Sequence, residues 1–177
     1  MFIKKIIVSS YGTNCYFLTA EKTNETIIID PGDEAEKIFD FIEKNSLIPK
    51  AIILTHRHID HIGALEETKK KYKIGALDLK EGDKVKIGNE EIEVIETPGH
   101  TPDSVCFVGD RFIVTGDTLF NGSIGRTDFK GGNFDEMKKS LLRLTEYPDD
   151  FKIYPGHGLE STIGEEKKNN PFISDIF

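Results

Sequence analysis

A wholly apolar run, Ala51-Ile-Ile-Leu54, ends directly in Thr55-His56-Arg57-His58-Ile59-Asp60-His61. Four residues are too few for a helix, so the run reads as a buried strand. A strand buried on both faces demands a layered fold that covers it. Three of the chain's five histidines lie in the six residues from His56 to His61. In extended backbone, positions 56 and 58 point to one side. A turn at Ile59-Asp60 would carry Asp60 and His61 to the other side of the same pocket, with a helix starting near Ile62.

The rest of the chain supports layers. Apolar runs bounded by turn residues predict strands at Ile3–Ser9, Asn14–Thr19, Thr26–Asp30, Val85–Ile87, Glu91–Glu96, Val105–Val108, Phe112–Thr115 and Phe151–Tyr154. Ala35, Ile38, Phe39 and Ile42 form one face of a helix over Glu34–Asn45, and Asp33 with Glu36 has the spacing of a capping box. Phe134, Met137, Leu141 and Leu144 mark a second helix. Strands and helices in this order suit two sheets with helices packed outside, in one domain over residues 1–177.

Composition narrows the function. The net charge is −8, which disfavours a nucleic-acid partner, because such a partner is held by clustered Lys and Arg. No apolar stretch reaches the roughly 20 residues that span a bilayer. The apolar start at Met1 is short and lacks a small-residue cleavage site, so a cytoplasmic protein with no membrane partner is expected. Cys15 and Cys106 each sit in an apolar run and read as small buried hydrophobes.

Imidazoles and carboxylates together are ligands for zinc, iron or manganese. The remaining histidines sit on similar loops: His100 follows Thr97-Pro98-Gly99, and His157 follows Tyr154-Pro155-Gly156. Asp117 lies in Thr115-Gly116-Asp117-Thr118, just past an apolar run. Each is a polar group on a tight turn at a strand end, where a scaffold can converge side chains on one cavity. Taken singly, a loop histidine is usually solvated, and an Asp after Gly commonly closes a turn. The cluster at His56–His61 shifts that balance.

The run Leu54-Thr-His-Arg-His-Ile-Asp-His-Ile-Gly63, with Thr-Pro-Gly-His100, Thr-Gly-Asp117-Thr-Leu-Phe and Tyr-Pro-Gly-His157-Gly, resembles the metallo-β-lactamase superfamily. Within it, Gly116–Phe129 and Asn170-Pro171-Phe172 resemble the short glyoxalase II-like hydrolases. The resemblance implies an α/β fold, an αββα sandwich of two mixed β-sheets flanked by helices. It implies two divalent metal ions, zinc first, with iron or manganese as alternatives. His56, His58 and His100 would bind one ion and Asp60, His61 and His157 the other, with Asp117 bridging. Asp30, at a strand end, would brace the histidine loop, although Asp30-Pro31-Gly32 also reads as an ordinary turn.

The activity implied is hydrolysis of a small-molecule thioester such as S-lactoylglutathione, by hydroxide held between the metals and oriented by Asp60. Arg126 is the candidate for an anionic substrate group, or else a structural partner of Asp128. Phe120, Phe129 and Tyr11 would line the pocket or serve as packing. The longer glyoxalase II enzymes carry a C-terminal helical extension that contacts glutathione. Here about 20 residues follow His157, room for one short helix. The alternatives are a mononuclear iron persulfide dioxygenase and a lactone or phosphodiester hydrolase of the same superfamily. A monomer or homodimer would serve any of these.

Overall fold

A computed structural model of the chain describes residues 1–174. They divide into two compact units, residues 1–79 with 84–91, and residues 80–83 with those from 92 onward. Among the described residues no helix is long and apolar enough to cross a membrane.

In the first unit, β1 (Phe2–Val8), β2 (Thr13–Thr19), β3 (Glu25–Ile29) and β4 (Ile48–Ile53) lie side by side in chain order. The first two pairings are antiparallel and β3–β4 is parallel. A parallel pair needs a crossover, and α1 (Ala35–Lys44) supplies it. The predicted face of Ala35, Ile38, Phe39 and Ile42 is the buried one, packed with Cys15, Phe17, Ile28 and Ile52. Cys15 and Phe17, two residues apart on β2, face this cluster together. β5 (Lys84–Ile87) also belongs to this unit.

Three expectations are corrected here. β4 begins at Ile48, and Pro49 is accommodated where the β3–β4 register shifts, at Thr26/Ile27. The capping box does not form. Glu34 takes a left-handed conformation (φ 52°) at the N-cap, and the Asp33 carboxylate accepts only the Glu34 N–H. The helix after the histidines starts at Ile59, as α2 (Ile59–Ile62), and α3 (Leu65–Tyr72) follows. Its early start has a steric reason: a Cβ on Gly32 would lie 1.8 Å from the Asp60 carbonyl oxygen, and one on Gly63 would lie 2.3 Å from that of Gly32. The two glycines let α2 rest on the Pro31-Gly32 turn, where the Ala64 N–H bonds the Pro31 carbonyl.

The second unit repeats the plan. β12 (Ser161–Thr162), β11 (Lys152–Pro155), β8 (Phe112–Gly116), β7 (Val105–Gly109) and β6 (Glu90–Glu96) neighbour one another in that order. The β8–β11 pairing is parallel, and α4 (Phe134–Thr145) makes the crossover. Asn133 caps α4 by accepting the Asp135 and Glu136 N–H groups. Met137, Leu141 and Leu144 pack with Ile95, Cys106, Ile113 and Ile153. Both cysteines are buried and free, as expected.

The short hairpin of β9 (Leu119–Phe120) and β10 (Ser123–Ile124) was not anticipated, nor was β12. Among the described residues the tail holds two short helices rather than one, α5 (Ile163–Asn169) and α6 (Pro171–Ser174). The sheets are mixed, each unit carries helices against its strands, and the class is α/β.

Candidate metal centre

In the first unit, β3 and β4 are parallel, so their C-terminal ends deliver Asp30 and Thr55-His56 to the same edge. Asp30 has φ 52°, a conformation that Asp tolerates better than most residues. Its buried carboxylate accepts the Thr55 N–H at 2.8 Å and the Thr55 hydroxyl at 2.6 Å. Oδ2 also lies 3.0 Å from Nδ1 of His61. An ionised carboxylate only accepts, so Nδ1 carries the hydrogen and Nε2 of His61 is left with its lone pair.

The same logic reaches His56. The single Thr55 hydroxyl hydrogen goes to Asp30. The His56 Nδ1, 3.1 Å from that hydroxyl oxygen, must therefore donate, which leaves Nε2 without a hydrogen. One carboxylate thus sets the tautomer of two histidines. His56 Nε2 stands 3.1 Å from Nδ1 of His58, so positions 56 and 58 do face one side. Asp60, in the first turn of α2, places Oδ2 3.6 Å from His61 Nε2 and accepts the Thr13 hydroxyl at 3.0 Å.

In the second unit, β6, β8 and β11 lead into His100, Asp117 and His157. His100 Nδ1 lies 2.7 Å from the Arg126 carbonyl oxygen and must donate to it, so its Nε2 carries no hydrogen either. That Nε2 is 3.5 Å from Oδ2 of Asp117, and Nε2 of His157 is 3.6 Å from the same oxygen. The Asp117 side chain is 11% exposed, and the Phe120 ring stands edge-on to His157 at 5.9 Å.

The donor set therefore suits cations. Within their own units, His56, His61 and His100 each have one ring nitrogen committed to a protein acceptor and the other left without a hydrogen. That preparation is what a divalent ion of the zinc, iron or manganese type requires of a histidine ligand.

Arg126 is exposed and engaged. Its guanidinium forks the Asp128 carboxylate through two bonds of 2.7 Å and lies 3.6 Å over the Phe129 ring. The hydrogen bonds from Arg126 hold the Asp128 carboxyl down to about 2, and the pairing raises Arg126 in turn. The structural pairing with Asp128, read as an alternative in the sequence, is present. Tyr11 is 72% exposed. Sequence reasoning missed the roles of Thr55, Thr13 and the Arg126 backbone. Thr55 adjoins the histidine run and had a local signal. The other two act across long sequence separations and had none.

A family model for the metallo-beta-lactamase superfamily matches residues 10–77 and 75–157. The hydroxyacylglutathione hydrolase GloC of Haemophilus influenzae is 33% identical, over 98% of this chain and 99% of its own. The BLEG-1 B3 metallo-beta-lactamase superposes with a TM-score of 0.92 at 30% identity, over 98% of this chain and all of that one. ETHE1 from Myxococcus xanthus gives 0.90 at 29%, over 99% and 90%. TTHA1623 in a di-iron-bound form gives 0.87 at 29%, over 96% and 99%.

Proposed function

The chain belongs to the metallo-beta-lactamase superfamily of metal-dependent hydrolases, and from that premise we propose that it cleaves thioesters of the hydroxyacylglutathione kind with two divalent ions, zinc first. His56, His58 and His100 would hold one ion, and Asp60, His61 and His157 the other. Asp117 would serve both. The observation that carries this reading is the position of Asp117 Oδ2, 3.5 Å from His100 Nε2 and 3.6 Å from His157 Nε2, the two histidines assigned to different ions. The likeness to TTHA1623 in a di-iron-bound form supports a pair of metals and keeps iron as an alternative.

Two such cations would supply a water acidified toward neutrality and a polarised substrate carbonyl. The chain's residues do the rest. Asp30 and the Arg126 carbonyl keep imidazole nitrogens without a hydrogen for the ions. Asp60 accepts a hydrogen from the attacking water and so aims it at the carbonyl carbon. The leaving group is a thiolate, and since a free thiol has a pKa near 8.5 it departs without a dedicated general acid. Arg126 would take a carboxylate of the thiol carrier once Asp128 releases its guanidinium.

The test is turnover of S-lactoylglutathione and a panel of other thioesters by protein whose metals have been counted. Two ions per chain, loss of activity on chelation and recovery on adding zinc are expected. His58→Ala should lose both metal and activity. Full activity after complete chelation would sink the proposal. The likeness to ETHE1 favours one second reading, oxidation of a persulfide at a single iron. Oxygen uptake on glutathione persulfide, with one iron per chain, would decide for it.

A further inference from the structure

Thr13 opens β2 and has no exposed surface. Its hydroxyl oxygen is 3.0 Å from Oδ2 of Asp60. An ionised carboxylate only accepts, so Thr13 is the donor. The oxygen it holds is also the one 3.6 Å from Nε2 of His61, the nitrogen without a hydrogen because Nδ1 donates to Asp30.

The main chain of Asp60 is fixed by other means. Gly32 lies against its carbonyl, where a Cβ would approach to 1.8 Å, and the residue sits in the first turn of α2. The freedom left to Asp60 is rotation of its side chain, and the Thr13 hydroxyl restrains it. Thr13 is itself held. The Ser9 hydroxyl oxygen lies 3.4 Å from Thr13 Oγ1 and accepts the Tyr11 N–H at 3.1 Å. With Thr13 donating to Asp60, Ser9 has its hydrogen free to give to Thr13, so every hydrogen in the row has one acceptor. The β1–β2 turn thereby reaches the Asp60 carboxylate through two hydroxyls.

We propose that Thr13 is a positioning residue for this site: its buried hydroxyl holds Oδ2 of Asp60 beside Nε2 of His61 and so sets the geometry of the second metal position. The inference rests on the reading of Asp60 as a ligand of that ion. It concerns the zinc affinity of the chain as well as its turnover, so it can be decided even for a protein whose substrate proves to be different.

The experiment compares wild type, Thr13→Val and Thr13→Ser as full chains. Competition with a chromophoric chelator reads the affinity of each zinc, and thermal unfolding of the metal-free protein reads the fold. Valine keeps the shape and the strand preference while removing the hydroxyl. Losing a hydrogen-bond partner of a metal ligand typically costs 10–100-fold in affinity or activity. Thr13→Val should therefore weaken one zinc by about 10–100-fold and lower kcat by a similar factor. The other zinc and the metal-free Tm should hold, and Thr13→Ser should restore both losses. Should the valine chain not fold, Thr13→Ala takes its place in the same comparison. Unchanged affinity for both ions overturns the proposal. So does equal weakening of both with a lower metal-free Tm, or a serine variant as damaged as valine. If wild type binds two zinc ions but turns over no thioester, the thioester reading fails while the zinc comparison still decides the role of Thr13.

Discussion

The backbone carbonyl oxygen of Arg126 stands 2.7 Å from Nδ1 of His100, so Arg126 serves the site with its main chain whatever its side chain does. The chain reaches this point through the β9–β10 hairpin, and Gly125 closes it. A Cβ on Gly125 would come 1.8 Å from the Asp117 carbonyl oxygen and 3.1 Å from His100 Nδ1. Gly125→Ala must therefore move the Asp117 backbone and crowd the His100 ring, and both residues are proposed ligands. We expect it to lose bound metal and roughly 1–3 kcal/mol of stability, the usual cost of overpacking. Zinc content and urea unfolding check both.

Arg126→Gln keeps the carbonyl and removes the guanidinium. The expected result is unchanged metal content and a higher KM for S-lactoylglutathione. Metal loss in this variant would show that the side chain supports the loop.

Asp128→Asn should do the reverse. The Arg126–Asp128 pair is exposed, and such pairs are worth at most about fivefold in an equilibrium. Freeing Arg126 should lower KM for an anionic thioester by up to about that factor and leave an uncharged thioester unaffected. Arg126 depresses the Asp128 pKa to about 2, so the pairing is fully present above the ordinary value of 3.8 and is lost only as pH falls through about 2. KM for the anionic substrate should owe no slope between pH 5 and 9 to this pair, which a pH series of KM in wild type and Asp128→Asn tests by difference.

Asp30→Ala removes the acceptor of His61 Nδ1 and of the Thr55 N–H and hydroxyl at once. Loss of such an outer hydrogen bond should weaken zinc about 10–100-fold. The orphaned buried Thr55 N–H should cost about 1–3 kcal/mol in the metal-free protein. Chelator competition and denaturant unfolding read these separately.

Burial pushes the Cys106 thiol up to about 11, from an ordinary value of 9, and burial with the nearby Asp30 charge also raises Cys15 well above that ordinary value. A raised folded value means stability that is complete below pH 9 and is lost as pH rises through about 11. Ellman's reagent at pH 8 should find no reactive thiol in the folded chain and two after denaturation, and alkaline unfolding should set in above pH 9.

Several features were legible because they are local. The apolar faces of α1 and α4 repeat at helical spacing within a dozen residues. The strand into His56 is announced by Ala51–Leu54, and Pro-Gly marks the turns before His100 and His157. The start of α2 was not legible, since it depends on Gly32 meeting Asp60 some thirty positions later. The two-residue strands β9 and β10 are too short to carry a periodic signal.

The sequence by itself determined the candidate ligand types, their spacing and the strand ends that bear them, because these follow from side-chain chemistry and from short-range backbone preference. Only the tertiary structure decided which nitrogen His56, His61 and His100 leave without a hydrogen. That choice belongs to acceptors far away along the chain: Asp30 for His61, and for His56 through Thr55, and the Arg126 carbonyl for His100. A hydrogen bond of this kind depends on where two backbones come together in space, and no local pattern of residues encodes it.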